Sequence, residues 1–271
     1  MPRLSLSIAW EEAKRILGRD GGLLTAVALA LLVLPELVAG LASPTIEVEP
    51  TAFGRLVSLL AALIGVIGQL AIIRLALGPS TTVGDAIRHG ARRFPAVLGA
   101  VIIIALAVAV ILIPLLAVLI AVGVISIPGE GQMTPSFAVA IWAMVIGTLF
   151  LAVKFIMTVP VAGAENVGPL AILKRSWRIT SGNYWRLFVF EILLIVAALV
   201  VLLAAQLVGG TAAHVLAGEV TPFSPAALVL AVFVAVAEAA FTVFASVMLA
   251  RVYVQLSGGA EAQPSVPTTG I

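Results

Sequence analysis

Long apolar runs, separated by short polar stretches, dominate the pattern of this sequence. Runs of about 20 or more apolar residues are long enough to cross a bilayer as helices. We therefore predict an all-α fold, a polytopic membrane helical bundle of six transmembrane helices. The predicted spans cover residues 22–42, 52–77, 96–127, 136–161, 185–217 and 225–255. They form one membrane domain over residues 1–257, and the polar, Pro- and Gly-rich tail at 258–271 is predicted to be disordered.

The first polar stretch has the periodicity of a short amphipathic helix over residues 5–17. Gly18 and then Gly21 and Gly22 follow it, so we expect this helix to lie at the membrane interface and to end before the first span. A cleaved signal peptide is the alternative, because small residues also follow the first apolar run. The long, helix-patterned start favours an uncleaved span. In the long third span, Pro114 predicts a kink.

The lysines and arginines are concentrated on one side of the predicted spans. Of the 15 basic residues, only Arg55 falls in the loops of the opposite side. Short loops rich in Lys and Arg stay in the cytoplasm, so both termini are predicted to be cytoplasmic.

A basic amphipathic segment precedes each odd-numbered span. The three segments read SIAWEEAKRILGRDGG, GDAIRHGARRFPAVLG and PLAILKRSWRITSGNYW. Their identity is slight, but their position repeats. We therefore predict three units, each with a cytoplasmic amphipathic helix followed by a transmembrane hairpin.

The surface helix of the third unit is the best specified. Asn166 or Gly168 can cap its start, and Pro169 suits the first helical position, where its missing N–H costs nothing. Gly182 is expected to end the helix in a left-handed cap.

Basic and aromatic residues cluster on and directly after this helix, where each basic group near an anionic surface contributes about 1 kcal/mol. They form a hypothetical site for anionic phospholipid headgroups, although the same residues could simply fix topology and anchor the helix. The set is Lys174, Arg175, Trp177, Arg178, Tyr184, Trp185 and Arg186.

A second set of candidates consists of polar side chains inside the spans, which are costly in lipid and therefore usually paired or functional. This set is Glu36, Gln69, Arg74, Lys154, Glu191 and Glu238. Lys154 and Glu191 lie at similar depth on consecutive antiparallel spans, so we predict that they pair.

Glu36 and Glu238 lie deeper and have no basic residue at their depth. Two such acids could form the site of a proton- or cation-coupled transporter. Alternatively, each lines a small wet cavity or hydrogen-bonds a neighbouring helix.

Residues typical of enzymes are scarce in this chain. It has no cysteine, and the predicted topology puts His89 and His214 on opposite sides of the membrane, so we expect no metal site. No phosphate loop, HExxH or GxSxG motif is present. We expect no catalytic activity, no cofactor and, because the basic residues follow the bilayer, no nucleic-acid partner.

The chain resembles a known family over most of its length, most specifically in one stretch of about 25 residues. The chain is similar here to the membrane domain fused to some bacterial glycerophosphodiester phosphodiesterases, and to related stand-alone multi-pass proteins. The resemblance rests on Val159, Pro160, Glu165, Gly168, Pro169, AILKRSW at 171–177, Gly182 and YWR at 184–186. It implies a helical bundle of the bacterial inner membrane, without the soluble catalytic barrel.

These observations favour a non-catalytic inner-membrane protein that binds lipid or a membrane or cytoplasmic partner and serves envelope lipid metabolism. The alternative is a small transporter or channel that uses Glu36 and Glu238.

Overall fold

A computed structural model describes residues 4–44, 50–78, 82–124 and 134–258. In these ranges the regular secondary structure is all helical, with no strand. Six helices of the described ranges are long and apolar enough to cross a membrane. The prediction of an all-α multi-pass membrane bundle is therefore confirmed. The tail predicted to be disordered lies outside the described residues from residue 259 onward.

The helices are numbered in chain order. The first crossing comprises α1 (Leu6–Ala28), a π-helical segment (Leu29–Val33) and α2 (Leu34–Ala42). The remaining helices are α3 (Ala52–Leu77), α4 (Val83–Ala121), α5 (Pro135–Phe155), α6 (Thr158–Ala164), α7 (Pro169–Ser181), α8 (Tyr184–Ala217) and α9 (Pro225–Leu256). Hydroxyl side chains cap the starts of α3, α4, α5 and α9 by accepting a backbone N–H of the first turn.

The N-terminal amphipathic segment is not a separate surface helix. Gly18 lies inside α1, which continues without a break into the first crossing, so the predicted helix end is wrong. An interior glycine costs about 1 kcal/mol relative to alanine, and packing against the bundle outweighs that cost. Ala9 and Ala13 are fully buried, and the Trp10 ring lies 5.4 Å from the Phe244 ring of α9.

The second basic segment is also continuous with its span, because α4 begins at Val83 and passes through Pro95 and Pro114. A separate amphipathic helix therefore occurs only in the third unit, as α7. Gly168 and Pro169 start α7 as predicted. Gly182 ends it at φ −82°, so the predicted left-handed cap is wrong. The last predicted residues of the third span, 125–127, lie outside the described ranges, and the kink at Pro114 stays a prediction.

Two prolines interrupt crossings that the sequence pattern predicted to be regular. A proline has no N–H for the carbonyl four residues earlier. Pro160 leaves the Ile156 carbonyl without its helical partner, and the chain turns between α5 and α6 at that point. In the same way, Pro35 offers no N–H to the Leu31 carbonyl, and Leu31 lies within the π-helical segment. Such π-helical insertions are frequent at functional sites.

Helix α9 is central to the bundle and packs against α1, α2, α3, α6 and α8. The main buried cluster lies toward the arginine-rich end, where Leu70, Ile72 and Ile73 of α3 are almost completely buried. In contrast, the apolar residues of α4 beyond Ala100 are largely exposed, as in Val110 at 71%. Because lipid is the solvent for such a bundle, this exposure is consistent with a membrane protein.

Candidate functional site

A cavity of about 330 Å³ lies between the first crossing, α3 and α9. Both acids that the sequence singled out, Glu36 and Glu238, line it. So do Gln69 and Thr242. The cavity is large enough for a small polar solute or several waters, since one water occupies about 30 Å³ of liquid. The structure therefore brings three of the predicted intramembrane polar residues into one site.

The position of each polar group follows from the helices that carry it. Glu36 is in the first turn of α2, directly after the π-helical segment that contributes Leu32 to the wall. Gln69 lies on α3 one turn after Gly65, which also lines the cavity. On α9, Glu238 and Thr242 are four residues apart and therefore share a helix face.

The cavity lies near the middle of the length of α9. At 1.5 Å per residue, Glu238 is about 20 Å from the start of α9 and about 27 Å from its end. Glu36 and Gln69 are half-buried, whereas Glu238 and Ala62 are exposed at the cavity rim. The cavity is therefore open at one side of the three-helix contact.

The ionisable groups that line the cavity are all acidic. Its lining contains two carboxyl groups, one amide and one hydroxyl, but no Lys, Arg or His. Within the described ranges, the side chains of Glu36, Gln69, Glu238 and Thr242 make no hydrogen bond or ion pair with another protein group. Oxygen ligands of this kind, without a neutralising base, suit a proton or a hard cation.

Lys154 and Glu191 do not pair, so that prediction is wrong. Lys154 is only 8% exposed, and its ammonium donates to the Ser181 hydroxyl at 3.2 Å. The ammonium also lies 4.8 Å from the Trp177 ring centre and 5.3 Å from that of Tyr184. One carboxyl oxygen of Glu191 is buried without a hydrogen-bond partner. Similar depth was not sufficient, because it does not say which face of each helix a side chain occupies.

The predicted headgroup residues separate into two groups. Lys174 and Arg178 are exposed on α7 and have no ion pair among the described residues. Arg175 is bonded instead to Glu165 at 2.9 Å. Arg186 donates to the Leu4 carbonyl at 2.8 Å. Only part of the basic set is therefore available to a lipid.

The aromatic members of that set also differ in their surroundings. Trp185 is 74% exposed, whereas Trp177 and Tyr184 contribute rings to the surroundings of Lys154. Among the intramembrane candidates, Arg74 is half-buried and has no ion pair within the described residues.

Arg93, which served only to predict topology, and His89, which was considered only as a metal ligand, have structural roles. Arg93 is 8% exposed and donates to the Ala162 carbonyl, the Asn166 side chain and the Val167 carbonyl at 3.0, 2.8 and 2.6 Å. His89 lies one turn earlier, with Nε2 2.9 Å from the Gly163 carbonyl. Together they hold the carbonyl end of α6. Their four-residue spacing is the sequence signal that this pair shares a helix face.

The comparison with known families covers almost the whole chain. Residues 5–256 match the family described as a domain of unknown function, DUF7847. The chain belongs to the DUF7847 family. No curated protein and no solved structure matches it.

The DUF7847 match includes every residue that lines the cavity. Among the described residues of this DUF7847 member, no group of three or more His, Cys, Asp and Glu side chains could hold a metal ion.

Proposed function

We propose that the chain is a small membrane transporter or channel that takes a proton or small cation into the cavity between the first crossing, α3 and α9. The observation that carries this proposal is the shared cavity of Glu36 and Glu238. Acidic side chains inside a membrane domain are costly and usually mark ion pathways when they line a wet cavity. Gln69 and Thr242 supply neutral oxygens beside the two acids.

The direct test is cation entry into proteoliposomes. The full chain is reconstituted, a negative-inside potential is imposed, and the entry of protons, Na⁺ and K⁺ is followed separately. We expect entry of at least one of these ions above that of empty liposomes. Replacing both acids, by Glu36→Gln and Glu238→Gln, should lower the rate at least about tenfold, equivalent to 1.4 kcal/mol.

Glu191→Gln is the matched control, because it also neutralises an acid in a transmembrane helix but does not line the cavity. It should leave the rate unchanged. Wild-type rates equal to those of empty liposomes for all three ions would contradict the proposal.

A second proposed function is non-catalytic binding of anionic lipid, in service of envelope lipid metabolism or of a membrane or cytoplasmic partner. The exposure of Lys174 and Arg178 on the separate helix α7 favours it. Replacing both residues by Gln should weaken the binding of phosphatidylglycerol to the protein in nanodiscs by up to about 2 kcal/mol. Unchanged lipid retention in native mass spectrometry would count against this function.

We further propose that the protein resides in the bacterial inner membrane with both termini in the cytoplasm, and that it is related to the membrane domain of glycerophosphodiester phosphodiesterases. The distribution of basic residues supports the orientation. Because the chain contains no cysteine, orientation can be measured with single introduced cysteines. In intact cells, an impermeant thiol reagent should label Glu219→Cys but not Arg88→Cys. The reverse pattern would invert the topology.

A further inference from the structure

A second concave site lies on α1, α3 and α9, at their arginine-rich end. It is a pocket of about 230 Å³. Three arginines line it: Arg15 and Arg19 of α1 and Arg251 of α9. Gly78, directly after α3, forms part of the wall without adding a side chain. None of these residues belongs to the acidic cavity or to α7.

The three arginines differ in how far they are already neutralised. The Arg251 Nε donates to Glu12 at 2.7 Å, so this pair is a fixed part of the wall. Arg19 binds Asp20 through Nε and Nη2, which leaves Nη1 without a hydrogen bond in the described structure. Arg15 is exposed and has no ion pair among the described residues. The pocket therefore keeps a positive charge and unused guanidinium N–H groups.

The depth of the pocket corresponds to the headgroup region. Along the first crossing, Arg19 lies about 35 Å from Ala42, and Gly78 lies about 39 Å from Ala52 along α3. The hydrocarbon core of a bilayer is about 30 Å thick. If the opposite helix ends lie at one edge of that core, the pocket lies just beyond the other edge, at the level of lipid phosphates.

We propose that this pocket binds a phosphate group through Arg15 and Arg19, with the Arg251–Glu12 pair holding its wall. Arginine presents a planar fork of N–H donors that matches phosphate oxygens and can bind two of them at once. The phosphate comes either from an anionic phospholipid headgroup or from a soluble phosphate compound. The proposal is independent of cation transport, because it uses no residue of the acidic cavity.

The test compares lipid retention by the full chain in nanodiscs of phosphatidylglycerol and phosphatidylcholine. Native mass spectrometry measures the fraction of protein that still carries phosphatidylglycerol at the highest collisional activation. Arg15→Gln should reduce this retained fraction about fivefold, and Arg15→Gln with Arg19→Gln about 25-fold, if each arginine contributes the usual interaction of a basic group with an anionic surface.

The matched control is Arg92→Gln, which removes an exposed arginine of α4 outside the pocket. It should change retention less than about twofold, the scale of an ordinary surface substitution. Arg15→Gln is decisive on its own if the double variant does not fold, because Arg15 makes no ion pair among the described residues.

A second arm uses inorganic phosphate with the protein in phosphatidylcholine nanodiscs. Loss of phosphatidylglycerol retention in the double variant identifies a lipid headgroup as the ligand. Protection of the wild type against heat by inorganic phosphate, absent in the double variant, identifies a soluble phosphate. A double variant that behaves like Arg92→Gln in both arms overturns the proposal.

Discussion

The acidic cavity and the arginine pocket lie along the same three helical elements, the first crossing, α3 and α9. The charged side chains that line them differ in sign and in whether they have ion-pair partners. In the pocket, Arg251 is paired with Glu12 and Arg19 with Asp20, and Arg15, which has no ion pair among the described residues, is exposed. In the cavity, Glu36 and Glu238 have no basic neighbour on the lining. Charges at the membrane surface can be neutralised by partners, water or headgroups. Acids without a basic partner in membrane-spanning helices are costly, and the difference supports a functional reason for them.

A buried apolar layer lies between the two sites along these helices. It includes Leu24 and Val27 of α1, Leu70 and Ile73 of α3 and Val247 of α9, each no more than 1% exposed. All five belong to the main buried cluster. The cavity and the pocket are therefore distinct sites, and substitutions in this layer test what keeps them apart.

The largest effect is expected from a substitution within this layer. Leu70→Ala removes a fully buried side chain and should lower the free energy of unfolding by about 2–5 kcal/mol, because it leaves a cavity in a packed core. Leu60→Ala is the control on the same helix, since Leu60 is 50% exposed. Thermal unfolding in one detergent measures both. Equal shifts for the two variants would mean that the layer is not the tight part of the bundle.

A smaller effect is expected from filling the acidic cavity without changing its charge. Gly65 lines the cavity, and a Cβ added there meets only Leu32, at 4.0 Å. A Cβ at position 65 therefore fits, and the bulk of Gly65→Leu at a residue that lines the cavity should reduce cation entry at least about tenfold, or 1.4 kcal/mol.

Gly147→Leu is the control for this substitution, because a Cβ at Gly147 meets nothing within 4 Å. Proteoliposome flux measures both variants. Normal flux through Gly65→Leu would exclude the cavity as the route.

The smallest effect is expected from making the arginine pocket more positive. Glu12→Gln keeps an amide oxygen that can accept from Arg251 and so preserves the wall contact, while it removes one negative charge from the lining. Retention of phosphatidylglycerol should rise about fivefold, as for one added basic group. Glu11→Gln is the neighbouring control, because Glu11 is exposed and pairs with Lys14. A rise of the same size in both variants would point to a general surface effect.

Sequence periodicity was sufficient to predict the membrane-spanning helices but not the positions at which they are interrupted or extended. The predicted spans at 52–77 and 185–217 fall within one residue of α3 and α8, because long apolar runs have few alternatives to a membrane helix. The pattern did not distinguish a surface helix from the extension of a span. Gly18 is compatible with both arrangements, and the packing of Trp10 against Phe244 favours the extension of the span.

The candidate sites could be predicted only in part for a related reason. Glu36 and Glu238 were recognisable because an acid in an apolar run is exceptional. Gln69 was predicted at a different depth, and Thr242 was not singled out, although its spacing from Glu238 puts both on one face. Which faces of three helices converge depends on tertiary packing. The same limitation explains the failed pairing of Lys154 with Glu191.

The most direct test of the central claim is infrared spectroscopy of the carboxyl groups in nanodiscs during titration with protons and with Na⁺. The proposed cavity predicts carboxyl bands that change with one of these cations, that disappear in the Glu36→Gln, Glu238→Gln variant and that remain in Glu219→Gln, where an exposed acid is removed. Identical titrations of the wild type and the double variant would contradict a cation site in the cavity.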